Sequence, residues 1–202
     1  MRDEVRADAL LASLEEEHKG KLKVFLGAAP GVGKTYAMLQ AVREQAKEGV
    51  DILIGVVETH GRQETLALLD KLAIQPRKLH HHRQQRLEEM DLDGLLERKP
   101  AIVVVDELAH TNAPGSRHEK RWQDVEELLG AGIDVYSTLN VQHLESLNDL
   151  VWQLTGVRVK ETLPDQVLLE ADSIVLIDLP PKELLGRLKE GKVYVPHQAK
   201  AA

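Results

Sequence analysis

The stretch Ala28-Ala29-Pro30-Gly31-Val32-Gly33-Lys34-Thr35 follows an apolar run over residues 23–26 and opens a segment of helical period. A strand, a glycine-bearing turn and a helix start, in that order, read as a P-loop. The glycines let the turn aim successive N–H groups at phosphate oxygens, beside a helix N-terminus whose dipole favours negative charge. In that role Ala29, Pro30, Gly31, Val32 and Gly33 form the backbone cradle, Lys34 reaches the β- and γ-phosphates, and the Thr35 hydroxyl ligates Mg²⁺. The strict pattern has glycine where Ala28 stands, and Gly27 lies one residue early, so the match is to the looser form that accepts alanine.

A second apolar run, Ala101-Ile102-Val103-Val104-Val105, ends in Asp106-Glu107. An uninterrupted apolar run of this kind reads as a strand buried on both faces, and the two acids give it the form of a Walker B element. Asp106 then holds Mg²⁺ through water, while Glu107 polarises an attacking water or takes a proton from another nucleophile. Such an ending also occurs as an ordinary exit into a loop. Its pairing with the P-loop gives it a role here.

Outward from these two motifs the chain alternates. Five apolar runs, residues 23–26, 52–57, 101–105, 134–139 and 173–179, are separated by segments of helical spacing, the pattern of a parallel sheet covered on both faces. Met38, Ala41, Val42 and Gln45 form one helical segment, ended by Gly49. Leu66, Leu69 and Leu72 mark another, and Trp122, Val125, Leu128 and Leu129 a third, stopped by Gly130 and Gly132. Val141, Leu144, Leu147, Val151 and Leu154 repeat the device before Gly156. All are read as core faces. Pro180-Pro181 begins a last helix carrying Leu184, Leu185 and Leu188. The expected fold is α/β, a P-loop NTPase-like three-layer sandwich with a mostly parallel central sheet flanked by helices. Residues 1–19 are read as an N-terminal helix or flexible extension, 20–190 as the nucleotide-binding domain and 191–202 as a C-terminal tail or linker.

With 202 residues, 43% of them hydrophobic, the chain can bury the core of one such domain. Cysteine is absent, which excludes disulfides, thiolate metal sites and a cysteine nucleophile and agrees with the cytosol. No apolar run approaches the ~20 residues that cross a bilayer, and the charged start, residues 1–8, gives no expectation of a signal peptide. A net charge of −7 and only 3% aromatic residues argue against general affinity for duplex DNA or stacking on exposed bases. The expected partners therefore include neither nucleic acid nor, for this chain itself, a membrane.

In open parallel sheets ligands bind at the carboxyl ends of the strands, which collects a polar set: residues 58–62 after the second run, 110–118 after the third, and Ser137, Thr138, Asn140, Gln142 and His143 within and after the fourth. Thr138 and Asn140 are candidate sensors of the γ-phosphate or its water, although Asn140 could equally cap the next helix. His60, His110, His118 and His143 lack the paired spacing of a zinc motif, so bonds to phosphate or to loop backbone are the better account. His80-His81-His82 lies among Arg77, Lys78, Arg83 and Arg86 and reads as a solvated basic face. Arg117 or Arg121 could serve as an arginine finger, within the chain or toward a neighbouring subunit, and a homodimer stays open. No Asn-Lys-x-Asp sequence follows any strand, which prefers ATP over GTP. A dinucleotide-binding reading, with Gly31 and Gly33 in the turn and Glu58 as ribose acid, lacks its third glycine, since Tyr36 stands there, and leaves Lys34-Thr35 without a role.

Taken together, these blocks resemble the N-terminal cytosolic domain of the KdpD family of osmosensitive potassium-sensor histidine kinases, over residues 20 to about 199. The resemblance rests on residues 27–35, on Val56-Val57-Glu58-Thr59-His60-Gly61-Arg62, and on Asp106-Glu107-Leu108-Ala109-His110-Thr111-Asn112-Ala113-Pro114-Gly115-Ser116-Arg117-His118. Residues 120–124, 140–149 and 188–194 add to it. It implies an ATP-binding regulatory module in the cytoplasmic part of an inner-membrane two-component sensor that governs a potassium pump. The partners it implies are the remaining sensor domains and, through them, a response regulator. No phosphoacceptor-histidine box or kinase lid motif is present in these residues, so autokinase activity is not expected of them. Hydrolysis of ATP, or transfer of phosphate to a hydroxyl of a protein partner with Glu107 as base, is the alternative.

Overall fold

The protein is described here from a computed structural model, which covers residues 18–82 and 85–189. The expected N-terminal extension up to residue 17 and the C-terminal tail lie outside the described residues. In chain order the elements are β1 (Leu22–Gly27), α1 (Lys34–Lys47), β2 (Ile52–Val56), α2 (Gln63–Leu68), β3 (Ala73–Ile74), β4 (Lys78–His82), β5 (Gln85–Glu89), α3 (Leu92–Arg98) and β6 (Ile102–Val105). There follow α4 (Arg121–Gly130), β7 (Asp134–Asn140), α5 (Asn148–Thr155), α6 (Asp165–Leu169), β8 (Ser173–Ile177) and α7 (Pro181–Lys189). Two 3₁₀ turns, Val141–His143 and Glu145–Leu147, stand between β7 and α5.

Six strands form one sheet in the order β3-β2-β6-β7-β1-β8, and every pairing in it is parallel. Side chains alternate across a strand, so an all-apolar run must feed two cores. In β6, Val103 and Val105 join one cluster with Leu95 of α3 and Val125 and Leu128 of α4. Ile102 and Val104 join the other, with Met38, Leu39 and Val42 of α1. Helices thus cover both faces, and the three-layer α/β sandwich expected from the sequence is the fold. The strand between β1 and β6 is β7, which sets the far end of β7 between the 28–33 turn and the acids after β6.

The structure corrects some of the sequence reading. The stripe from Val141 to Leu154 is not one core-facing helix. Leu144 and Leu163 instead form an isolated parallel bridge, and only α5 is α-helical. Leu144 is buried, but Leu150 and Leu154 of α5 are exposed. The run at β8 lies on the sheet edge, with Ile174 and Leu176 exposed, so its apolar content does not mean burial on both faces. The helix marked by Leu66, Leu69 and Leu72 stops at Leu68, and Leu72 leads into the short strand β3. The histidine run from His80, read from the sequence only as a solvated basic face, lies in an antiparallel hairpin of β4 with β5.

Candidate functional site

Parallel strands that finish at one edge bring their C-terminal residues together. The register sets Gly27 of β1 beside Asn140 of β7, and Val105 of β6 beside Ser137 of β7. The segment 27–35, Asp106, Glu107, Thr138 and Asn140 converge as a result.

The turn is built from backbone that only glycine adopts easily. Gly31 and Gly33 have φ of 82° and 104°, in the left-handed region where a Cβ is strained. Gly33 leads into α1, which has no side-chain cap and no acidic residue in its first turn. Its leading N–H groups lack the usual side-chain acceptor, and the positive end of its dipole is uncompensated. A Cβ on Gly27 would stand 2.7 Å from Cδ of Lys34 and 2.7 Å from Cγ2 of Val32. The glycine one residue ahead of the strict pattern therefore has a steric reason: the Lys34 stem runs over it.

Lys34 is only 8% exposed. Its Nζ donates to the carbonyl of Ala29 at 3.2 Å and to Oδ1 of Asn140, and it has no salt-bridge partner among the described residues. Burial lowers its pKa to about 8, against the pull of Asp106, with Arg62 adding to the fall and Glu107 opposing it. Asn140 precedes the first 3₁₀ turn, yet its side chain makes no capping bond there; it faces Lys34 instead.

Asp106 is 1% exposed. Its carboxylate accepts from the Thr35 hydroxyl at 3.1 Å, from the Thr138 hydroxyl, from the Glu58 N–H at 3.1 Å and from its neighbour Glu107 N–H at 3.2 Å. Burial pushes this carboxyl up from the usual range, and the Thr138 hydrogen bond opposes that rise. A hydroxyl and a carboxylate in contact are hard oxygen donors of the kind Mg²⁺ takes, with water and phosphate completing its shell. Among the described residues no group of three or more His, Asp or Glu side chains is arranged around a metal position.

Glu107 turns the chain at φ 57°, a conformation costly for a residue with a Cβ. Its N–H donates to Thr138 Oγ1 at 3.0 Å, and the Leu108 N–H to the Thr138 carbonyl at 3.0 Å. The half-exposed Glu107 carboxylate lies 3.7 Å from Nε2 of His60, itself at φ 49°. The pair lowers the Glu107 pKa and raises that of His60.

The two candidate arginines have different surroundings. Arg121 is 3% exposed; it donates to the Asp106 carbonyl at 2.9 Å and reaches Glu89 at 3.4 Å, so it braces the strand exit from inside. Arg117 is half-exposed and ion-paired with Asp93 and Glu127. The histidines do not converge on one point: His110 bonds Glu89, His118 bonds Asp124 and His143 bonds the Glu161 carbonyl. Glu58 pairs with Arg77 at 2.8 Å. One residue absent from the sequence reading joins the turn. Arg187 of α7 donates to the carbonyl of Gly31 at 3.2 Å, a contact across 156 residues that no local pattern signals.

A family model described as "Osmosensitive K+ channel His kinase sensor domain", KdpD, matches residues 18–202. The chain belongs to the KdpD family. It is 57% identical over 195 residues to the sensor protein KdpD of Escherichia coli, covering 96% of this chain and 22% of that protein. The KdpD sensor protein of Mycobacterium tuberculosis is 50% identical over 184 residues, 91% of this chain and 21% of the relative. That of Clostridium acetobutylicum is 52% identical over 197 residues, 96% and 22%. The chain therefore spans about a fifth of these KdpD relatives, and the residues matched by the family model include every segment that builds the site. No helix among the described residues is long and apolar enough to cross a membrane.

Proposed function

We propose that this chain is the Mg·ATP-binding regulatory module of a potassium- and osmosensing two-component histidine kinase. In this reading residues 29–33 are the P-loop cradle, Lys34 holds the β- and γ-phosphates, and Thr35 and Asp106 hold Mg²⁺. Asn140 and Thr138 line the phosphate end. The observation that carries it is Lys34: an ammonium only 8% exposed and without a carboxylate in salt-bridge contact, at the uncapped start of α1. Buried charge without a counter-charge is costly, and a phosphate supplies the missing one. Occupancy would shift the packing of the surrounding loops on the remaining sensor domains, and through them act on a response regulator.

Turnover at the same site is the second reading. It is favoured by Glu107, whose half-exposed carboxylate is held at the mouth by a strained backbone, a feature that binding alone does not require. Calorimetric titration with Mg·ATP, Mg·GTP and a non-hydrolysable ATP analogue, beside Lys34→Ala, tests the first reading. Selective ATP binding that the variant loses is the expected result, and unchanged affinity in Lys34→Ala would sink the site assignment. Phosphate release, or phosphate on an added protein partner, that disappears in Glu107→Gln would establish the second.

A further inference from the structure

Lys34 and Arg187 contact the 28–33 turn directly, and Arg62 lies near enough for its charge to act on Lys34 and to feel that of Arg187. Lys34 opens α1, Arg62 precedes α2 after β2, and Arg187 comes from α7 after β8. The Arg187 guanidinium sits on the turn itself. Its Nη1 is 3.2 Å from the Gly31 carbonyl, and 3.6 Å from where a Cβ on Gly33 would stand. Several other arginines are matched with acids, Arg77 with Glu58, Arg98 with Asp51, and Arg117 with Asp93 and Glu127, while Arg43 bonds carbonyls and Arg158 lies over the Trp152 ring. Arg62 and Arg187 have no salt-bridge partner among the described residues, and Arg62 makes no side-chain hydrogen bond among them. The acid whose charge reaches both Lys34 and Arg62, Asp106, is already committed to Thr35, Thr138 and the Glu58 N–H.

We infer that Arg62 and Arg187 complete, with Lys34, a three-cation pocket for the terminal phosphate of a nucleoside triphosphate, and that Arg187 makes α7 the element that distinguishes triphosphate from diphosphate. This rests on the nucleotide reading above. A guanidinium holding a neutral carbonyl gains from exchanging it for a phosphate oxygen, since charge-assisted bonds are roughly twice as strong as neutral ones. That difference is the differential affinity a ligand needs to shift an equilibrium. The electrostatics agree: burial, and then the neighbouring Arg187, lower the pKa of Arg62, and Arg62 adds to the lowering that burial imposes on Lys34. Three like charges drawn together are relieved by a polyanion. A diphosphate seated in the cradle leaves the Gly31 carbonyl as the Arg187 partner; a third phosphate draws the guanidinium, and α7 with it, onto the ligand.

The test is the ratio of ATP to ADP affinity of the 202-residue chain, by calorimetry in Mg²⁺ buffer, for the parent, Arg62→Ala, Arg187→Ala and Arg187→Lys. Amide exchange of residues 181–189 is followed with each nucleotide. The expected result is a parent that prefers ATP, a loss of roughly tenfold in that preference for each alanine variant, partial return in Arg187→Lys, and protection of α7 by ATP but not ADP. A parent that binds both nucleotides, with alanine variants whose ratio is unchanged, would overturn the inference and leave the nucleotide site standing. A parent that binds neither would overturn both.

Discussion

The ammonium of Lys34, at the start of α1, donates to the side-chain oxygen of Asn140, at the end of β7. Strand order makes this contact, because β7 lies between the strand that leads into the 28–33 turn and the strand that ends in the acids. An amide oxygen steers the ammonium without neutralising it, and so leaves its charge for a phosphate. Asn140→Asp changes only that. The new carboxylate pairs Lys34 and repels phosphate, and like charges brought together at a binding site are strongly unfavourable. The expected outcome is a fall in Mg·ATP affinity of more than about tenfold, read by calorimetry, with the circular dichroism of the parent retained.

Lys34 also burdens the protein without ligand. Its pKa is held at about 8 against the 10.5 of an ordinary lysine, so between those values the unfolded chain keeps a proton that the folded one has shed, and stability rises with pH across that window. Below it the cost of the buried charge is fully present, on the order of 3 kcal/mol at about 1.4 kcal/mol per pKa unit. Lys34→Met removes it. The variant is expected to melt about 6–12 °C above the parent at pH 7, at about 2–4 °C per kcal/mol, with the difference closing as pH approaches 10.5. A melting series from pH 6.5 to 10.5 checks it, and a variant less stable than the parent throughout would contradict it.

The fold was legible because β6 and its neighbours are runs that can only be buried from both sides, and helices must supply the cover. Lys34, Thr35, Asp106 and Glu107 were legible because each sits at a fixed offset from a strand end, and the strand ends share one edge. Arg187 and the bracing role of Arg121 were not. They depend on which helix returns over which loop, a long-range outcome that leaves no periodicity behind. The stripe from Val141 to Leu154 misled for a related reason: helical spacing does not distinguish a helix from two 3₁₀ turns that share its polarity.

Arg121 and Glu89 form a buried pair under the strand exit. Removing one partner strands the other. Arg121→Met is expected to cost about 3 kcal/mol in urea denaturation, because Glu89, 7% exposed, keeps only His110 and the Ala113 N–H. Adding Glu89→Gln to that variant is expected to return part of the loss, so the double-mutant cycle gives a coupling energy clearly different from zero. Additive effects would mean that the pair does not act as a unit.

Glu107 tests whether backbone strain is kept for function. At φ 57° a glycine is relaxed where glutamate is not, by roughly 1–2 kcal/mol. Glu107→Gly is therefore expected to raise the melting temperature by about 2–8 °C, since the half-exposed pair with His60 contributes little, and to abolish any phosphate release. A stabilised, inactive variant would show that a carboxylate is retained there against the interest of the fold.

The chain contains two tryptophans, and their surroundings differ. Trp152 is 45% exposed, with the Arg158 guanidinium 4.8 Å above its ring. Trp122 packs against the larger core cluster and directly follows Arg121, whose guanidinium touches the Asp106 carbonyl. The protein thus carries its own fluorophore one peptide bond from the brace beneath its candidate site, and Trp152→Phe would leave that emission alone to be watched as a ligand arrives, with no label attached.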